Sequence, residues 1–130
     1  MTEAISLIRR FALALCVWRE ARGETLLGKM LVAQTIENRV IDPRWPDTYV
    51  GVITQPFQFS AFNKSDPNVT AYPAETDRAW PDCVAAADLV LAAPSPLTAA
   101  NHYHTTGVTP AWKQDDKIVS REGHHVFYRL

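Results

Sequence analysis

The sequence lacks the basic excess that marks most nucleic-acid-binding proteins. It carries 13 Lys and Arg against 14 Asp and Glu, scattered rather than clustered, for a formal charge of −1. No nucleic-acid partner is expected from such a balance. Cysteine is scarce as well: Cys16 and Cys83 lie far apart in apolar, helix-like surroundings and read as two buried small hydrophobes. A chain of 130 residues buries roughly two-thirds of its unfolded surface and needs neither a disulfide scaffold nor a structural metal. Long apolar runs are missing too. The longest, FALALCVW (Phe11–Trp18), falls well short of the ~20 residues that span a bilayer, so stable membrane insertion is not expected. Arg9-Arg10 ahead of that run imitates a signal peptide, but Trp18-Arg19-Glu20 supplies no small-residue cleavage site. The run therefore reads as a buried helix, with an uncleaved export or anchor segment as the alternative. Repeats, low-complexity tracts and an HExxH motif are absent.

What is present is the make-up of one globular domain over residues 1–130, with 47% apolar and 21% charged residues. From Ile5 to Ala21 there is neither Gly nor Pro, and Leu7, Phe11, Leu15 and Trp18, widened by Ile8 and Ala12, mark one helical face. Beyond Leu13 the segment is apolar nearly all round and belongs at the centre of the core. Gly23 offers a left-handed position to end the helix. Thr25 opens a second helix to about Val40, with Leu27, Met30, Leu31, Ala33, Gln34 and Ile36 in helical period, stopped by Asp42-Pro43 and Trp45-Pro46. A short helix follows over Tyr49–Thr54, capped by Asp47 or Thr48. The stretch from Gln55 to Asn68, rich in aromatics and in Ser, Asn, Asp and Pro, reads as a packed loop. A further helix runs from Pro73 or Ala74 to Ala92, ended by Pro94-Ser95-Pro96. After Leu97, the segments Ala99–Thr106, Ile118–Val119 and His125–Tyr128 carry strand-forming residues. The fold class is mainly α (α+β), with a small antiparallel β element near the C-terminus.

Among the chemical candidates Glu20 stands first. At the end of an apolar helix its carboxylate is partly desolvated, and the helix C-terminus carries partial negative charge; both raise its pKa and suit a general acid. Against this stands a surface carboxylate paired with Arg19 or Arg22. Glu24, beyond Gly23, fits a structural role near the site, at the start of the second helix. His102 and His104 share a strand face and, with His124 or His125, would make a metal site; a half-buried or surface role is the simpler reading, and no metal is assigned. Cys16 lies in too apolar a run to be a reactive thiol.

The motifs WREARGE (Trp18–Glu24), Gly28, VAQTIENRV (Val32–Val40), Trp45-Pro46 and YVGVITQPFQFS (Tyr49–Ser60), followed by NHYHTT, Trp112 and GHHVFYRL, resemble the SleB-like cell wall hydrolases. That family includes spore cortex-lytic enzymes and bacterial and phage peptidoglycan hydrolases. The match runs from about Trp18 to Phe127. It implies a lysozyme-like, mostly α domain that cleaves peptidoglycan glycan strands between N-acetylmuramic acid and N-acetylglucosamine, as a muramidase or a lytic transglycosylase. The first Glu of the family's E-A-R-G-E motif is the catalytic acid, which here is Glu20.

Read with that resemblance, Gln58, Ser60 and Asn63 offer hydrogen bonds to sugar hydroxyl and N-acetyl groups, and Tyr103 and Trp112 add cleft surface. Phe57, Phe59 and Phe62 fit packing. Standard glycosidase schemes need a second carboxylate; Glu37, Asp66 and Asp82 are available, and none is singled out by spacing. A transglycosylase manages with one Glu, so hydrolysis and 1,6-anhydro formation both stay open. No cofactor is expected, the partner is the glycan strand, and the chain is expected to be a monomer. With no recognisable wall-binding repeat, a phage or prophage endolysin is expected, held in the host cytoplasm until release to the wall. The alternatives are a metal-dependent peptidoglycan amidase using the C-terminal histidines and a non-catalytic glycan-binding domain.

Overall fold

A computed structural model describes residues 3–48, 51–52 and 72–130. Three helices, α1 (Glu3–Ala21), α2 (Leu26–Ile41) and α3 (Trp80–Ala92), pack on one another beside a three-stranded antiparallel sheet of β1 (His102–Thr105), β2 (Ile118–Glu122) and β3 (His125–Tyr128). Strand order is β1-β3-β2, and all four residues of the central strand are buried. A mainly α fold with a small C-terminal sheet is what the residue pattern predicts.

The core forms where α1 is apolar all round. Leu13 to Trp18 are buried together with Val32, Ala33 and Ile36 of α2, Cys83, Ala87 and Val90 of α3, and Phe127 of β3. The N-terminal half of α1 differs from expectation: Leu7, Ile8 and Phe11 are exposed, and so is Leu27 at the start of α2. Periodicity selects the buried face only from Ala12 onward; Phe11 meets Trp80 edge to face at 6.0 Å.

Each helix boundary has a local cause. Arg22 Nη1 donates to the Trp18 carbonyl, and the Glu24 amide donates to the Ala21 carbonyl, closing α1. The left-handed residue expected at Gly23 is not formed; among the described glycines only Gly123 has a positive φ, +54°. An ordinary turn, bonded through the backbone, suffices there. Thr25 caps α2, its hydroxyl accepting from the Gly28 amide at 3.1 Å. Asp42 ends it in the extended conformation that precedes a proline. The third helix starts at Trp80, not at Pro73 or Ala74. Asp77 Oδ1 accepts from the amides of Ala79 and Trp80 at 2.8 and 3.1 Å, holding a turn where the helix was expected, and Pro81 then supplies the preset first-turn φ. Of the short helix expected over Tyr49–Thr54, Gly51 and Val52 are described and helical, with the Thr48 hydroxyl accepting from the Gly51 amide.

The polar side of α2 positions the sheet. Gln34 Oε1 accepts from the Leu97 amide, and Gln34 Nε2 donates to Asn38 Oδ1. Asn38 Nδ2 donates to the carbonyls of Thr98 and Ala100 at 2.8 and 2.7 Å. The segment leading into β1 is thus threaded along α2 before the first strand pairs. Both cysteines are free and buried.

Candidate active site

Glu20 lies in the last turn of α1, half-buried, with carboxylate oxygen Oε1 in the interior. Its surroundings come from β1. Burial, followed by the negative charge of Glu20, pushes the Tyr103 phenol well above its usual pKa, so that the hydroxyl stays protonated beside a carboxylate. The same two causes, in the same order, raise the Cys16 thiol. That keeps Cys16 inert, as its place in the apolar run predicts. Arg39 of α2 lies within electrostatic reach of Tyr103 and Cys16. It is buried, and desolvation lowers its guanidinium to about 10, which leaves it charged at neutral pH.

The sheet places side chains on two faces. Cross-strand partners share a face, and Tyr103 pairs with Phe127 while Thr105 pairs with His125. This inner face meets the helices, through Phe127 in the core and Tyr103 against it. His102 pairs with Tyr128 and His104 with Val126, so these point to the outer face. Trp112 joins the outer face, its ring 4.9 Å from His102, 5.8 Å from His104 and 5.2 Å from Tyr128. Of the residues expected to line one cleft, the fold brings Tyr103 within electrostatic reach of Glu20 and sets Trp112 on the other side of the sheet. Gln58, Ser60 and Asn63 lie outside the described residues, as do Phe57, Phe59, Phe62 and Asp66.

The histidines take partners other than a metal. His104 Nε2 lies 2.6 Å from the Tyr128 hydroxyl, and its Nδ1 is 2.7 Å from the Thr105 carbonyl. His102 Nδ1 meets Asn101 Oδ1 at 2.8 Å. Burial, then Arg39 and Arg44, lowers His102 to about 4, so its ring is neutral at pH 7. His125 faces the opposite side of the sheet. The three-histidine set of an amidase is not assembled, and among the described residues no group of three or more His, Cys, Asp or Glu is placed to hold a metal.

Glu24 has a built environment that sequence reasoning missed. Its side chain is 7% exposed. Oε1 accepts from the His124 amide at 2.7 Å and from His125 Nδ1 at 2.9 Å, and Oε2 lies 3.1 Å from His124 Nδ1. Burial would raise this carboxyl, yet the His124 bonds and the two imidazoles outweigh it and hold the pKa below its usual value. Lys29 Nζ donates to the Glu24 carbonyl. The β2–β3 turn can approach because Gly123 has no side chain: a Cβ there would stand 2.7 Å from Glu24 Oε2. Thr25 Oγ1 donates to Glu122 Oε1 at 3.2 Å beside it. The pairing of E-A-R-G-E with G-H-H is a clasp between the α1–α2 turn and the hairpin tip. Only the presence of both motifs in one sequence hinted at it.

The remaining carboxylates stand apart. Glu37 lies within electrostatic reach of Arg9, which offsets only part of the rise that burial imposes on its carboxyl. Arg9 precedes Glu20 by eleven residues, about 16 Å along a helix. Asp82 is exposed in the first turn of α3.

The sequence profile of the Cell Wall Hydrolase family matches residues 23–128. The spore cortex-lytic enzyme of Halalkalibacterium halodurans is 31% identical over 115 residues, covering 88% of this chain and 33% of that protein. The enzyme of the same name from Bacillus subtilis is 30% identical, covering 88% and 35%. The chain therefore spans about a third of the length of the curated relatives it matches. In three dimensions it is similar to the catalytic domain of the germination-specific lytic transglycosylase SleB from Bacillus anthracis, with a TM-score of 0.73, 28% identity and coverage of 99% of this chain and 97% of that one. The catalytic domain of Bacillus cereus SleB gives a TM-score of 0.68 at 28% identity, covering 94% and 91%. With its profile matched over residues 23–128 and its fold shared with a solved catalytic domain, the chain belongs to the cell wall hydrolase family.

Proposed function

We propose that the chain cleaves peptidoglycan glycan strands as a lytic transglycosylase, with Glu20 as its acid and base. The observation that carries this reading is the half-buried Glu20 at the end of α1, beside the protonated Tyr103 phenol, in a fold shared with a catalytic domain described as a lytic transglycosylase. Partial burial and the helix C-terminus both favour the protonated carboxyl. Glu20 then donates its proton to the glycosidic oxygen as the bond to the muramic C1 breaks. The resulting carboxylate takes the proton of the muramic C6 hydroxyl, whose oxygen closes on C1 to give the 1,6-anhydro end. One carboxylate serves both transfers.

The other carboxylates support a scheme with one Glu. Glu24 is engaged by two histidines, Glu37 lies toward Arg9 and Asp82 is exposed. Gln58, Ser60 and Asn63 remain proposed sugar contacts.

Mass spectrometry of digested peptidoglycan tests the reading. Anhydro-muramic ends are expected; reducing muramic ends would make the chain a muramidase, and free peptides an amidase. Binding without release would leave a non-catalytic glycan-binding domain. Glu20→Gln should lower turnover by about 10²–10⁴-fold, the usual range for a lost general acid. The finer form of this proposal is a phage or prophage lysis role, in which cultures expressing the protein lyse only when the inner membrane is opened.

A further inference from the structure

Resting on the reading of Glu20 as the acid, we propose that Glu24 and His125 are positioning residues that set the Tyr103 ring against Glu20. Glu24 is far more elaborately held than a helix-start carboxylate requires. Both its oxygens are engaged by the hairpin tip, its carbonyl by Lys29, and two glycines make room. Gly123 is one; the other is Gly28, where a Cβ would stand 3.1 Å from Glu24 Cβ. A dipole-complementing charge on an exposed helix end needs none of this.

What the clasp fixes is the His125 ring. It is 2% exposed. Its Nδ1 faces Glu24 at 2.9 Å, and its Nε2 is buried without a hydrogen-bond partner among the described residues. An ionised Glu24 accepts a proton-bearing Nδ1, which leaves Nε2 as the bare nitrogen of a neutral ring. The Glu24 bond is then the single polar anchor of the imidazole and determines its rotation. That ring meets Tyr103 edge to face, centroids 5.1 Å apart and planes at 80°, while Phe127 packs against Tyr103 at 5.9 Å. Tyr103 is thus wedged between a hydrogen-bonded ring and a core ring, with its hydroxyl in the field of Glu20. A shift of His125 would pass to the phenol and from there to the acid, and misplacement on the scale of 1 Å is costly in a proton-transfer step.

The test compares Glu24→Gln and His125→Asn with wild type and Glu20→Gln on solubilised glycan strands, alongside circular dichroism. Asn at 125 keeps a donor near the Nδ1 position and removes the ring. Both variants are expected to fold, to lose at least tenfold in kcat and to keep KM within about twofold. Wild-type kcat in either folded variant overturns the proposal, and so does a rise in KM alone. If Glu24→Gln fails to fold, His125→Asn decides; if both fail, the clasp serves stability and the proposal falls. An active Glu20→Gln would instead overturn the assignment of the acid.

Discussion

Arg39 Nε donates to the carbonyl of Asn101 at 2.6 Å, joining the buried end of α2 to the residue just before β1. The guanidinium also lies over the Trp45 ring, 5.2 Å from its centroid. A charge kept in the interior despite its desolvation cost holds one part of the structure to another. Arg39→Met should therefore destabilise the protein by about 3 kcal/mol, the range for removing one member of a buried charged hydrogen bond. Arg39→Lys should recover little, since an ammonium has neither the planar fork nor the same stacking. Urea denaturation of the three proteins measures both effects.

Gly123 and Gly107 provide a matched pair. At Gly123, φ is +54° and a Cβ would stand 2.7 Å from Glu24 Oε2. Gly123→Ala adds left-handed strain of roughly 1–2 kcal/mol and forces the hairpin tip away from Glu24. A loss of about 3 kcal/mol is expected. At Gly107 a Cβ would meet nothing within 4 Å. Gly107→Ala should be neutral or stabilising by up to about 1 kcal/mol, because it restricts the unfolded chain. Thermal unfolding of both variants gives the comparison.

His102 makes stability depend on pH in a defined window. Its folded value of about 4 lies below the ordinary 6.5, so between those values the unfolded chain binds a proton that the folded one refuses. Stability is full above about pH 6.5 and falls as pH drops toward 4. Glu24, also depressed when folded, contributes stability that is present above its unfolded pKa near 4.5 and is lost on further acidification. His102→Phe should flatten the decline between pH 6.5 and 4.5. Its stability at pH 7, 5.5 and 4.5, compared with wild type, checks the sign.

Both thiols should be unreactive in the folded state. Burial raises Cys83 to about 11 and lifts Cys16 well above its usual value. A disulfide reagent at pH 8 should titrate no thiol without denaturant and two with it. Labelling of Cys16 under native conditions would mean that α1 opens locally.

The sequence patterns read most accurately are those with local causes. The Gly- and Pro-free run gave α1, Thr25 gave the start of α2, and Asp42-Pro43 its end. The start of α3 was misplaced because a single side chain, Asp77, holds the backbone in a turn through residues whose composition permits a helix. The exposure of Leu7 and Phe11 was not legible either, since periodicity names a face without naming what covers it. In the candidate site, the place of Glu20 at the end of an apolar helix was legible from the run that precedes it. His125 was considered as a metal ligand because His-x-His and His-His spacings report which face a ring takes, not what it touches. Its partner is 101 positions away.

That separation has a consequence for folding. Closing a contact between residues about a hundred apart costs loop entropy that local helix pairing does not, and such contacts slow folding. The α1–α2 hairpin forms from neighbouring segments, whereas the clasp on Glu24 needs the last strands of the chain. A ribosome delivers Glu24 101 positions before His125. The clasp on Glu24 therefore forms only once β3 has been made, and a chain stopped before β3 has the helices without it.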